Sequence, residues 1–201
     1  MIDLKGKQVY IAGLKNSGKT NFTKWLLNSK FPMHMAFDPM NEYKDEWDFN
    51  QFVPDSRRGN EAKEELNLFV DEFVKPNKAA LDAIVVDEAN RFHSKGGELK
   101  GAIGELVDVG SSHWSMATIF ISRKPTQVHT DVRGLADYWF LFNLTDSNNI
   151  KMLNNDVADG LGDAVKELDP DSFECLVVPP DRESYFKMDK VPEQRNSKGD
   201  L

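Results

Sequence analysis

The chain has one cysteine, Cys175, in 201 residues, so it can form no disulfide within itself and must be held together by packing. A solitary thiol suits a reducing compartment, and any cross-link would join two chains. No apolar run approaches the roughly 20 residues that a membrane-spanning helix requires. Residues 1–6 lack the basic flank and apolar stretch of a signal peptide, so a chain that is not secreted by that route is expected. An excess of positive charge is missing too: 25 Lys and Arg stand against 33 Asp and Glu, a formal net charge of −8. That balance argues against a monomer that coats nucleic acid by bulk attraction. It does not exclude a ring or channel that turns a few cations inward. The four histidines, His34, His93, His113 and His129, show no metal-ligand spacing, which argues against a zinc site.

What the chain does contain is globular composition, with 40% hydrophobic and 29% charged residues. Short β-branched or aromatic runs alternate with segments of helical spacing, the pattern of an α/β fold. Strands are predicted over Lys7–Ala12, Met33–Asp38, Ala83–Asp87, Met116–Ser122, Tyr138–Leu144 and Phe173–Val178, with Tyr185–Met188 as an edge strand. Helices are predicted over Lys19–Asn28, Glu61–Val74, Glu98–Val109, Asn148–Leu153 and Asp159–Leu168, with Pro76 stopping the second. Residues 40–60 read as loop. This order implies a mostly parallel central sheet flanked by helices on both faces. Residues 1–188 read as one domain and residues 189–201 as a charged, mobile tail.

Residues 13–20 read GLKNSGKT, a full match to G-x-x-x-x-G-K-[ST], placed between a predicted strand and a predicted helix. Gly13 and Gly18 let the backbone curl so that the N–H groups of Leu14, Lys15, Asn16, Ser17 and the helix start can face phosphates. Lys19 would neutralise the β- and γ-phosphates, and Thr20 would bind magnesium through its hydroxyl.

In IVVDEAN, residues 84–90, an apolar strand ends in acid, at the carboxyl edge where ligands of open α/β sheets collect. Asp87 there would hold magnesium, and Glu88 would act as general base on an attacking water. The Asp-Glu pair favours hydrolysis over phosphoryl transfer to a metabolite. NLTD at residues 143–146 lacks the lysine of a guanine-reading N-K-x-D motif, leaving Mg·ATP as the expected ligand.

DEANRF at residues 87–92 and ISRKPTQVHTDVRGLADYWFLFNLT at residues 121–145 resemble segments of FtsK/HerA-type DNA-translocating ATPases. The resemblance covers residues 7–145 and is greatest to the genome-packaging ATPases of membrane-containing icosahedral viruses. It implies a RecA-like P-loop NTPase fold, ATP hydrolysis between subunits of a homo-oligomeric ring, a hexamer, and translocation of double-stranded DNA. It also implies residence in the host cytoplasm or the virion, at a packaging vertex with capsid or membrane proteins.

The family's polar sensor falls on Ser122 and Arg123. The segment GSSHW, residues 110–114, lacks the arginine finger that many relatives carry there, leaving Arg91, Arg123 and Arg133 as candidates. Basic loops suited to DNA phosphates are DSRRGN, with Arg57 and Arg58, and HSKGGELK, with Lys95 and Lys100. Trp47, Phe49 and Phe52 either stack on bases or anchor the long loop to the core. The missing finger leaves open a second reading, an assembly or secretion factor gated by nucleotide without translocation.

Overall fold

The structure is a computed structural model that describes residues 2–43, 50–57, 59–93 and 97–192. Strands β1 (Gln8–Ala12), β2 (His34–Phe37), β4 (Ala83–Val86), β5 (Ala117–Ser122) and β6 (Tyr138–Leu141) form where the sequence is predominantly apolar. β1, β4 and β5 are buried at every position, as strands covered on both faces must be. With the short β3 (Gln51–Phe52), β7 (Cys175–Val178) and β8 (Phe186–Met188) they make one sheet in the order β3-β2-β4-β5-β1-β6-β7-β8. All pairings from β3 to β6 are parallel. β7 and β8 pair antiparallel, so the sheet is mostly parallel, as the sequence implied.

Alternation along the strands divides the core into two layers. Val9 and Ile11 of β1 point to the face covered by helix α1 (Lys19–Lys30), where Phe22, Leu26 and Leu27 meet Phe140 and Phe142. Tyr10 and Ala12 point to the opposite face. That face carries α2 (Gly59–Phe69), α4 (Gly101–Glu105), α5 (Thr130–Gly134), α6 (Ser147–Asp156) and α7 (Leu161–Glu167). Each large apolar side chain buried here contributes about 1.5–3 kcal/mol, so the two layers dominate stability.

Pro76 does not stop the second helix at Val74. The chain widens into a π turn over Val70–Val74, with the Lys75 N–H donating to the Val70 carbonyl, and continues as α3 (Lys75–Asn77). A wide turn ahead of the ring accommodates the missing N–H and the steric bulk that would break a regular helix. The helix from Gly101 likewise passes into a π turn, over Leu106–Gly110. The expected loop over residues 40–60 holds β3 and the start of α2, and α5 was not foreseen. Within the expected tail, Val191 packs into the α1 layer and the Pro192 carbonyl accepts from Asn21 Nδ2 at 3.4 Å. The rest of the expected tail lies outside the described residues. Cys175 is buried and its thiol is pushed up to about 12 by desolvation, which leaves it inert while the fold is intact.

Candidate functional site

The phosphate loop leaves β1 at Ala12 and enters α1 at Lys19. Gly13 sits where a Cβ would come within 2.5 Å of Phe142 Cβ and 2.8 Å of Ser17 Oγ, so no larger residue fits between the loop and β6. Asn16 and Gly18 adopt left-handed backbone, at φ 64° and 100°, which lets the loop curl over the cleft, but the Ser17 N–H, expected to face phosphate, donates to the Leu14 carbonyl at 3.4 Å. The Leu14 N–H donates to the Asn143 carbonyl at 3.0 Å and anchors the loop to the strand end beyond β6. The Leu14 carbonyl accepts from Ser17 Oγ at 2.8 Å and from Lys19 Nζ at 2.6 Å, which holds the ammonium across the loop. Burial lowers the Lys19 pKa, offset in part by the carboxylate of Asp87.

A cleft of about 560 Å³ opens over this loop and is lined by Lys15, Asn16, Gly18, Lys19 and Thr20 on one side. Asp87, Glu88, Arg123 and Glu42 line the other. The structure thus brings together the two motifs read from the sequence. The sheet explains why: β1 and β4 both end at this edge, with β5 between them.

Asp87 lies 7% exposed, with Oδ1 accepting from the Glu88 N–H at 2.6 Å and Oδ2 from the Tyr43 hydroxyl at 3.4 Å. Desolvation, with smaller contributions from Asp38 and Glu42, raises its pKa to about 7. Glu88 follows in the left-handed region at φ 50°, a strained conformation for a non-glycine residue, and is 6% exposed. Arg123 Nε donates to Glu88 Oε1 at 2.9 Å, and Arg91 Nε approaches Oε2 at 3.3 Å. The acid cast as general base is therefore clasped by two of the three arginines considered as fingers. Arg133, the third, is not among the residues lining the cleft.

Ser122 does not reach the site as a sensor. Strand alternation turns it the other way, 1% exposed, where its hydroxyl shares a 2.6 Å hydrogen bond with Tyr10. Its neighbours Ile121 and Arg123 line the cleft instead. Nor does Thr20 meet Asp87: its hydroxyl donates to Glu42 Oε2 at 2.7 Å. Glu42, which sequence reasoning missed, is delivered by a turn built on Asp38. The Asp38 carboxylate accepts from the Met40 N–H at 3.1 Å and the Tyr43 N–H at 3.0 Å. The available signal was its place just past the carboxyl end of a predicted strand, hidden within a segment dismissed as loop.

Among the described residues no three acidic, imidazole or thiol side chains cluster as a cage for a metal. Thr20 Oγ1 and the carboxylates of Asp87 and Glu42 in one cleft are instead the sparse oxygen set that suits magnesium arriving with phosphates. Of the residues proposed for DNA, Arg57 is exposed and its carbonyl accepts from Arg91 Nη1 at 3.4 Å. Lys100 is exposed and paired with Glu98 at 3.1 Å. Arg58 and Lys95 lie outside the described residues, as do Trp47 and Phe49. Phe52 stacks on Phe37 with centroids 5.5 Å apart, so it anchors the segment rather than offering a face to bases.

Solved structures share this fold. The genome-packaging NTPase B204 of Sulfolobus turreted icosahedral virus 2, in complex with ATP-γS, superimposes with a TM-score of 0.72 at 16% identity. The match covers 95% of this chain and all of that one, 100%. The chain has the fold of a viral packaging ATPase. B204 of Sulfolobus turreted icosahedral virus, described as a DNA-packaging ATPase, gives a TM-score of 0.70 at 17% identity, covering 94% of this chain and 100% of that one. The P-loop ATPase fold extends to EccC of Thermomonospora curvata, with a TM-score of 0.63 at 15% identity, over 95% of this chain and 39% of EccC. No family model and no curated protein matches the sequence.

Proposed function

We propose that this protein is an ATPase that hydrolyses Mg·ATP in the cleft over residues 13–20 and uses the energy to translocate double-stranded DNA, as a genome-packaging motor. The observation that carries this reading is the convergence of Lys19, Thr20, Asp87 and Glu88 on one cleft beside a phosphate-shaped loop. Lys19 and the loop N–H groups would bind the phosphates, and Thr20, Asp87 and Glu42 would hold magnesium, which when bound neutralises phosphate charge. Glu88 would take a proton from water as its oxygen attacks the γ-phosphorus and the bond to ADP breaks. That requires its carboxylate to turn from Arg123, whose guanidinium is then free for phosphate.

Arg91 offers a route from this event to DNA, since it contacts both Glu88 and the backbone of the basic loop at Arg57. Assembly as a homo-oligomeric ring, a hexamer, and work in the host cytoplasm or at a virion vertex with capsid or membrane proteins, belong to the same proposal. They come from the resemblance of residues 87–92 and 121–145 to packaging ATPases, whereas the likeness to B204, a DNA-packaging ATPase, supports the packaging role alone.

The masking of Glu88 by two arginines favours one other reading, a nucleotide-gated assembly or secretion switch that hydrolyses slowly. ATP hydrolysis measured with and without duplex DNA, on protein whose mass in solution is determined in parallel, separates the two. A motor accelerates with DNA as an oligomer; a switch does not respond to DNA. Absence of any ATP turnover would overturn both.

A further inference from the structure

Along the carboxyl edge of the sheet the elements run in the order β2, β4, β5, β1, β6, β7. Glu42, Asp87, Glu88 and Arg123 all stand on the β2-to-β5 side of the phosphate loop. If the γ-phosphate lies toward those groups, the nucleoside must leave the loop on the opposite side, toward β6 and β7. The side chain waiting there is Phe173, which lines the same cleft.

Phe173 stands out on three counts. It is an aromatic ring left half-buried at the mouth of a polar cleft. Its backbone is left-handed, φ 58°, a strained conformation for a bulky residue and one common at ligand clamps. Its ring is packed on the phosphate loop itself: a Cβ built on Gly18 would lie 2.9 Å from Phe173 Cβ and 3.0 Å from two ring carbons.

The strain is held in place by its neighbours. Ser172 Oγ donates to the Asp169 carbonyl at 2.7 Å, and the Glu174 carboxylate pairs with Lys187 at 2.7 Å. Asn143 Nδ2 donates to the Leu168 carbonyl at 2.6 Å, while the Asn143 carbonyl receives the Leu14 N–H of the phosphate loop. Besides that packing, the segment carrying Phe173 is thus tied to the phosphate cradle through Asn143.

We propose that Phe173 is the surface on which the base of the bound nucleotide stacks, an inference that rests on the nucleotide-binding reading above. Stacking uses the π-face common to all bases, so Phe173 sets affinity for a nucleoside triphosphate over a bare polyphosphate and does not select adenine.

The test is calorimetric binding of ATP, GTP and inorganic tripolyphosphate, each with magnesium, to wild type, Phe173→Ala, Phe173→Leu and Phe173→Trp. Phe173→Leu retains an apolar packing partner for Gly18 but has no π-face. In the Ala and Leu variants the Kd for ATP and for GTP should rise about tenfold, while that for tripolyphosphate moves less than about twofold. Phe173→Trp should bind both nucleotides within about twofold of wild type. Equal weakening of ATP and tripolyphosphate would assign Phe173 to loop packing and overturn the proposal, as would unchanged ATP affinity in both variants. Wild-type protein that binds neither ATP nor tripolyphosphate would overturn the nucleotide-binding reading itself.

Discussion

Replacing Asp87 with asparagine should make the nucleotide-free protein more stable at pH 8 while removing its activity. In the folded chain the carboxyl titrates at about 7 instead of the ordinary 3.8, chiefly because it is desolvated and secondarily because Asp38 and Glu42 are near. A folded-state value above the unfolded one means that folding favours the protonated acid. Stability is therefore fully present below pH 4, falls as pH rises toward 7, and stays low above that. The full displacement corresponds to about 4 kcal/mol. Burial raises Asp38 as well, so the acids share the effect, and about 2 kcal/mol is a fair share for Asp87 alone.

An asparagine can still accept the Glu88 N–H through its carbonyl and can turn its NH2 group toward the neighbouring acids, so little is lost in exchange. For a chain of this size the gain amounts to roughly 4–8 °C in Tm. The assay is thermal unfolding without nucleotide or magnesium from pH 5 to 8.5. The two proteins should converge toward pH 5 and separate toward pH 8, with Asp87→Asn the more stable. A parallel pH dependence in both, or a variant less stable than wild type at pH 8, would refute the electrostatic argument.

The other predictions concern the loop and the base. Lys19→Ala should abolish ATP hydrolysis, because the ammonium held across the phosphate loop is gone. Glu88→Gln should bind ATP with near wild-type affinity and lose turnover; near-normal turnover would remove Glu88 from the role of base. Gly13→Ala should lower the urea midpoint by an amount corresponding to about 1–3 kcal/mol, since its Cβ overlaps Phe142 in a packed layer, and should weaken ATP binding at the same time.

How legible these features were depended on how local their causes are. The phosphate loop was readable because eight consecutive residues supply the glycines, the ammonium and the hydroxyl. Asp87 and Glu88 were readable because an apolar run that must be buried in a sheet exposes whatever follows it at the strand end. Ser122 misled for a related reason: motif position counts residues, whereas strand alternation decides which face each one takes, and Tyr10 claims its hydroxyl. Pro76 misled because a π turn was available upstream.

The sequence by itself thus determined the nucleotide cradle, the acid pair and the alternating α/β architecture, since each is written within one strand–loop–helix segment. Only the tertiary structure decided that Glu42 meets Thr20, that Arg91 and Arg123 enclose Glu88, that β7 and β8 run antiparallel, and that Phe173 rests on Gly18. Apart from Arg91 with Glu88, three residues away, and the neighbouring strands β7 and β8, those contacts join residues far apart in the chain, and no periodicity encodes them. They follow from strand order, because parallel strands gather their carboxyl ends, and the loops that leave them, along one edge.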